Sequence, residues 1–132
     1  MNPLFHTFFQ QNRFLVNHLN EALKEHGLFS SQWTILFLLK KEGPMTLTAI
    51  WKYLNVEAPT ITRTVARLEK LGLVRREEGA DRREKIVYLT EKALQQMPAV
   101  EASVLKFEAE MTKNLSEEET VQLIQLLDKM KG

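Results

Sequence analysis

Hydrophobic residues recur at intervals of three and four along most of this chain, a spacing that is typical of amphipathic helices. The pattern changes between Leu73 and Thr90, where two short runs of β-type residues flank a charged loop and predict a two-stranded hairpin. Together these patterns predict a mainly α fold with one small β-hairpin, an α+β fold class. The predicted helices begin at or near Pro3, Ser30, Thr46, Ala58, Thr90 and Ser116.

The helix that begins near Ala58 has two contrasting faces. Ile61, Val65 and Leu68 form an apolar stripe, with Leu71 one turn further on. The opposite face is small and hydroxylated at its start and basic further along, and such a face can enter a major groove of DNA. An ordinary amphipathic helix with a solvated polar face is the alternative. The residues on the outward face are Pro59, Thr62, Arg63, Ala66, Arg67 and Lys70.

Capping residues mark the ends of several predicted helices. Gly72 is suited to end the helix near Ala58 in the left-handed conformation, and Pro59 suits its first turn. Either Glu57 or Ala58 is the N-cap of that helix, and the sequence does not decide between them. Further N-caps are predicted at Ser30, at Thr46 and at Ser116 with Glu119 as the partner in a capping box.

Charge is unevenly distributed along the chain. The net charge at pH 7 is only +1, yet residues 46–90 carry nine basic and six acidic side chains, whereas residues 91–132 carry five and eight. The hairpin tip and the outward face of the preceding helix are both basic, so together they present a footprint for a polyanion. The positive excess is modest, and it supports nucleic-acid binding.

The stretch from Thr46 to Thr90 resembles the winged helix-turn-helix of the MarR family of bacterial transcription regulators. The similarity rests on LTAIWKYL, on APTITRTVARLEKLGLVRR, on the D-x-R of the loop that begins at Asp81, and on YLTEKA, in this order and spacing. It covers nearly the whole chain, because the flanking helices match the dimerisation region of the family. The implied organisation is a single domain, 1–132, with a winged helix-turn-helix lobe at 30–90 and dimerisation helices at 1–29 and 91–132.

The resemblance implies a homodimer that binds a pseudo-palindromic operator in double-stranded DNA and regulates transcription, most often as a repressor. The helix over 58–70 would be the recognition helix. Thr62 and Arg63 are the candidates for contacts to base edges or phosphates, with Thr60 at the edge of the helix face. Pro59, on the outward face, is a further candidate for the DNA interface.

The hairpin would be the wing of this motif, and the resemblance implies that Arg83 reaches the minor groove. Asp81 would hold the wing by a hydrogen bond to Arg83 or to the loop backbone, with a plain turn residue as the alternative. The candidates for phosphate contacts are Arg67, Arg75, Arg76, Arg82 and Lys85.

Broad apolar stripes occupy the first and last helices and are wider than one small domain needs to bury. They predict a homodimer in which the chain ends intertwine, with an intramolecular core helix as the alternative for the first stripe. The candidates for the dimer contact are Phe5, Phe8, Phe9, Leu123, Ile124 and Leu127.

Composition excludes several kinds of chemistry. The chain has no cysteine, so neither a disulfide framework nor a thiol switch is available. No apolar run approaches the ~20 residues of a membrane span, and the N-terminus lacks the features of a signal peptide, so we expect a cytoplasmic protein. The three histidines lack the spacing of metal ligands, and we expect neither a metal nor a cofactor.

Two other functional classes compete with DNA binding. A winged-helix module that binds protein would more often expose an apolar or aromatic anchor than a basic face. An enzyme is not indicated, because no recognisable catalytic motif occurs. The resemblance also implies a small-molecule effector of unknown identity. Ordinary core packing is the alternative for the aromatic residues that are candidates for its pocket, Trp33, Phe37, Trp51 and Tyr53.

Overall fold

The computed structural model describes residues 1–81 and 83–131, and Arg82 and Gly132 lie outside the described residues. The mainly helical α+β class is confirmed. The helices are α1 (Pro3–Leu23, continued by a 3-10 turn at Lys24–His26), α2 (Ser30–Glu42), α3 (Leu47–Leu54), α4 (Ala58–Lys70), α5 (Glu91–Met111) and α6 (Glu117–Lys129). The strands are β1 (Met45–Thr46), β2 (Val74–Glu78) and β3 (Lys85–Leu89).

The sheet has one strand more than the predicted hairpin. Its order is β1-β3-β2 and both pairings are antiparallel. Met45 of β1 lies opposite Val87 of β3, which ties the start of α3 to the wing. A strand of two residues is too short to show an alternating pattern, so the sequence gives no sign of it.

The core is centred on α2, which buries Trp33, Ile35, Leu36, Leu38 and Leu39. The apolar stripe of α4 and Val87 of β3 join the same cluster, as do Met97 and Val100 of α5. Helix α2 is buried on most sides, but Phe37 is 50% exposed. The winged helix-turn-helix lobe and α5 thus share one core. The division of the chain into this lobe and the dimerisation helices stays a prediction.

The N-caps follow the predictions with one exception. Thr46 accepts a hydrogen bond from the Ala49 N–H at 3.0 Å, and Ser116 with Glu119 forms the reciprocal capping box. Glu57 is the N-cap of α4, which decides between the two candidates. The predicted cap at Ser30 is wrong.

Phe29 is the N-cap of α2, and Ser30 is its first helical residue. The Gln32 side chain accepts the Phe29 N–H at 3.0 Å, and the Ser30 N–H donates to Asn20 Oδ1 at 2.7 Å. The side chains of Gln32 and Asn20 thus satisfy the N–H groups of Phe29 and Ser30, while the N–H groups of Gln32 and Trp33 donate to the Phe29 carbonyl.

Gly72 ends α4 as predicted. It adopts φ 76° and donates its N–H to the Glu69 carbonyl at 3.0 Å, while the Leu73 N–H bonds the Leu68 carbonyl at 3.0 Å. The placement of Leu71 in the apolar stripe is wrong, because its side chain is 41% exposed. The helix ends at Lys70, and Leu71 is its C-cap.

Candidate nucleic-acid interface

Helices α3 and α4 are joined by a tight turn that sets the angle between them. Asn55 ends α3 in the left-handed conformation (φ 55°), which asparagine tolerates better than most residues. The Val56 N–H then bonds the Trp51 carbonyl at 3.1 Å. Because Pro59 fixes the first turn of α4 immediately afterwards, the turn leaves little freedom in the direction of the second helix.

The two faces of α4 are confirmed. Ile61, Val65 and Leu68 are buried, and Arg63 and Arg67 are exposed on the other side. Among residues 1–81 and 83–131, no carboxylate lies within ion-pair distance of either arginine. Both guanidinium groups are therefore available to an external anion.

Hydroxyl groups line the start of the same face. The Thr62 hydroxyl donates to the Ala58 carbonyl at 3.0 Å and keeps its acceptor capacity. Thr60 is half-buried beside exposed Pro59, and its hydroxyl lies 3.5 Å from Nη2 of Arg63. The first two turns of α4 thus expose short side chains that permit close approach of a ligand to the backbone.

The tip of the wing is held by Asp81. Its carboxylate accepts the Arg83 N–H at 3.0 Å, and its carbonyl accepts the Glu84 N–H at 2.9 Å. The Gly79 N–H closes the loop on the Glu84 carbonyl at 3.0 Å. Of the alternatives for Asp81, the bond to the loop backbone is confirmed, and Arg83 itself is exposed at the tip. The candidate Arg82 lies outside the described residues.

Two other wing cations form ion pairs within the sheet. The guanidinium of Arg75 stacks 4.3 Å above the ring centroid of Tyr88 and lies 3.5 Å from Glu77. Lys85 Nζ lies 3.5 Å from Glu78 across the hairpin. These ion pairs are long and solvent-exposed, so they are weak and easily exchanged for contacts with a phosphate.

Arg76 has a different environment. Its Nη2 and Nε donate to the two carboxylate oxygens of Glu69 on α4, at 2.9 and 3.4 Å. The hydrogen bond from Arg76 lowers the pKa of Glu69, and the charge of Arg76 adds to that effect. Arg76, a candidate for phosphate contact, therefore directs two of its hydrogen-bond donors at α4.

A junction that sequence reasoning missed joins α4 to α5. The Thr90 hydroxyl donates to the Gly72 carbonyl at 2.6 Å and accepts the Ala93 N–H at 3.2 Å, so one side chain serves two helix ends. Lys92 Nζ adds a bond to the Leu71 carbonyl at 2.8 Å. Thr90 was recognisable as the start of α5, but its partner 18 residues away carries no local signal.

The terminal helices expose apolar side chains. Ile124 is 55% exposed, and Leu127 is half-buried. The remaining candidates for the dimer contact, Phe5, Phe8, Phe9 and Leu123, are all exposed. Large aromatic and aliphatic groups concentrated on two helices form a surface that water solvates poorly.

A cavity of about 400 Å³ lies among α1, α2 and α5. Trp33 and Phe37 line it with ring centroids 6.3 Å apart, together with Leu19 and Val104. Of the four aromatic candidates for an effector pocket, these two share the cavity, whereas Trp51 and Tyr53 do not line it.

A hydrogen-bonded group of Ser103, His26 and Glu25 lacks the geometry of a catalytic triad. His26 Nε2 lies 2.8 Å from Ser103 Oγ, which donates to the Glu25 carboxylate at 2.9 Å. That carboxylate faces the same ring nitrogen at 3.6 Å, whereas a triad needs it on the opposite nitrogen. Within the described part of the chain, no group of His, Cys, Asp and Glu could hold a metal, and no helix is long and apolar enough to cross a membrane.

Comparison with known proteins connects this interface to a family. Residues 28–85 match the sequence model of the MarR family. The uncharacterized HTH-type transcriptional regulator YwoH of Bacillus subtilis (strain 168) is 46% identical over 116 residues, which cover 88% of this chain and 85% of that protein. The transcriptional regulator PA4135 has a similar structure, with a TM-score of 0.88 at 29% identity over 99% of this chain and 97% of that chain. A mutant MarR from E. coli in complex with operator DNA gives a TM-score of 0.91 at 27% identity, over 98% of this chain and 94% of that chain.

Proposed function

We propose that this chain, which belongs to the MarR family of transcription regulators, binds double-stranded DNA as a homodimer and represses transcription from a pseudo-palindromic operator. One observation carries the proposal: the exposed face of α4 presents hydroxyls and two arginines that are free of carboxylate partners among residues 1–81 and 83–131. The similarity to the operator complex of a MarR mutant supports it.

In this proposal α4 enters the major groove. Arg63 and Thr62 touch base edges or phosphates, and Pro59 and Thr60 allow the backbone to approach closely. Arg67, one turn further along the same face, contacts a phosphate at the edge of the groove.

The wing contacts the flanking DNA. Arg83 at the tip enters the minor groove, and Asp81 shapes the loop that presents it. Arg75 and Lys85 exchange their long ion pairs for phosphate oxygens. Arg82 belongs to the same proposal by its place in the sequence.

The homodimer buries the apolar surfaces of α1 and α6, so that two copies of α4 face successive major grooves. A small-molecule effector is proposed to bind in the cavity that Trp33 and Phe37 line, because apolar walls with few polar groups suit such a ligand. The proposal includes a cytoplasmic location and no catalytic activity.

The test begins with sequencing of genomic DNA that the purified protein retains, followed by titration of the enriched duplex by fluorescence anisotropy. Arg63→Ala should weaken binding of that duplex by ~1–3 kcal/mol and relax the preference at one base position. Lys131→Ala, which removes an equal charge beyond the end of α6, should leave affinity unchanged. If no duplex is enriched, the protein-interaction module replaces this proposal. If one is enriched and Arg63→Ala binds it as tightly as the unmodified protein, Arg63 has no role in the interface.

A further inference from the structure

We infer that Arg76 is a positioning residue, which fixes the wing against α4 through Glu69 and does not itself contact a phosphate. The inference rests on the proposed function, because it assigns a role within that DNA interface. It replaces the expectation that Arg76 is one of the phosphate contacts.

The first support is the face of the sheet on which Arg76 lies. Successive side chains of a strand point to opposite faces, so Arg76 shares its face with Val74, which is buried. Its cross-strand partner is Val87, also buried, whereas Arg75 is opposite Tyr88 on the other face. The stem of Arg76 therefore runs along the side of the wing that is packed on the protein.

The second support is the geometry of the contact with Glu69. Two nitrogens of one guanidinium meet two oxygens of one carboxylate, at 2.9 and 3.4 Å. A two-point contact fixes an orientation as well as a distance, which a single ion pair does not. Arg76 is also less exposed than Arg75, at 30% against 51% of the side chain.

The third support is the place of this ion pair in the fold. Among residues 1–81 and 83–131, it is the one ion pair that joins the sheet to a helix, since Arg75 and Lys85 pair within the sheet. Glu69 lies in the last turn of α4, and Arg76 lies in the middle of β2. The contact thus sets the angle at which the wing leaves the helix, and hence the distance from α4 to Arg83 at the tip.

The two roles for Arg76 predict opposite effects of Glu69→Gln. If Arg76 were a phosphate contact, the substitution would release its guanidinium and remove a negative charge near the DNA, so every duplex would bind more tightly. If Arg76 positions the wing, loss of the carboxylate loosens the hairpin. Affinity for the operator then falls roughly tenfold, the scale of one good groove contact, with a smaller change on random DNA.

Glu77→Gln is the matched control, because it removes the same charge from an exposed position on β2 without touching the contact with α4. It should leave operator affinity unchanged or slightly raised. The salt dependence of binding gives a second readout. Arg76→Ala should keep the slope of log affinity against log salt, whereas loss of a phosphate contact would lower it by about one unit per subunit.

A charge exchange that combines Glu69→Arg with Arg76→Glu should recover most of the operator affinity that either single change removes. Circular dichroism at the assay temperature verifies that each variant is folded. Tighter binding by Glu69→Gln, or a reduced salt slope for Arg76→Ala, overturns the inference and leaves the proposed function intact. Failure of the unmodified protein to bind any duplex overturns the proposed function, and this inference with it.

Discussion

Substitution of Thr90 by valine tests the junction between α4 and α5. Valine keeps the shape and the extended backbone of the residue but removes the hydroxyl that serves both helix ends. Loss of an N-cap costs ~0.5–2 kcal/mol, and loss of the bond to the Gly72 carbonyl costs about another 0.5–1.5 kcal/mol. We therefore expect Thr90→Val to lower the free energy of unfolding by ~1–3.5 kcal/mol.

Thr46→Val is the matched comparison, because the Thr46 hydroxyl caps α3 in the same way and no second bond is found for it in the described part of the chain. It should cost the capping contribution alone, ~0.5–2 kcal/mol. Thr90→Ser keeps a hydroxyl at the junction and should recover most of the stability that valine loses.

Urea unfolding followed by circular dichroism measures these differences. With an m value of about 2 kcal/mol/M, Thr90→Val should lower the midpoint by roughly 0.5–1.8 M. All variants have to be compared at one protein concentration, since the stability of a dimer depends on it. If Thr90→Val costs no more than Thr46→Val, the bond to Gly72 adds nothing and the reasoning about the junction is refuted.

Three further predictions concern the dimer, pH and oxidation. Ile124→Glu should produce monomer or unfolded chain in analytical ultracentrifugation, because a charge in a buried apolar contact is costly; a folded monomer of the unmodified protein at micromolar concentration would contradict the proposed dimer. Because Arg76 lowers the pKa of Glu69, their pair stabilises the fold above the unfolded pKa of that carboxyl and loses its effect as pH falls through the folded value. The difference in urea midpoint between the unmodified protein and Glu69→Gln should therefore be present at pH 7 and shrink as pH falls below the ordinary titration range of a glutamate; a difference that does not shrink in acid would refute this assignment. Mild peroxide should not release DNA in a manner that dithiothreitol reverses, since the chain has no thiol to form a disulfide or sulfenate, and such a release in an electrophoretic mobility assay would speak against the reasoning.

The features that the sequence predicted correctly are those with local causes. Gly72 ends α4 and Ser116 begins α6 because the residue types themselves favour those conformations over a few positions. The exposed and buried sides of α4 follow in the same way from its period.

The features that were missed depend on contacts between distant segments. Strand β1 exists because Met45 meets Val87, and the contact of Arg76 with Glu69 depends on how β2 turns back after Gly72. Core packing was the alternative for Phe37, which is half exposed: α2 is apolar on nearly every side, and such a helix does not reveal which side its neighbours leave open. Each of these three features depends on which segments meet in three dimensions, and the composition of a single segment does not show that.

Hydrogen bonds join the two ends of the wing where it meets the rest of the protein. The Leu73 carbonyl accepts the Thr90 N–H at 3.1 Å, next to the bond between the Thr90 hydroxyl and Gly72, so the two ends of the segment are fastened together. Residues added beyond Glu78, at the tip, would lengthen the hairpin without moving α4 relative to α5, and each doubling of a flexible loop costs only about 0.6 kcal/mol. The hairpin is therefore a replaceable module: its length and tip can be exchanged, by evolution or by engineering, while the spacing between the two copies of α4 in a dimer is preserved.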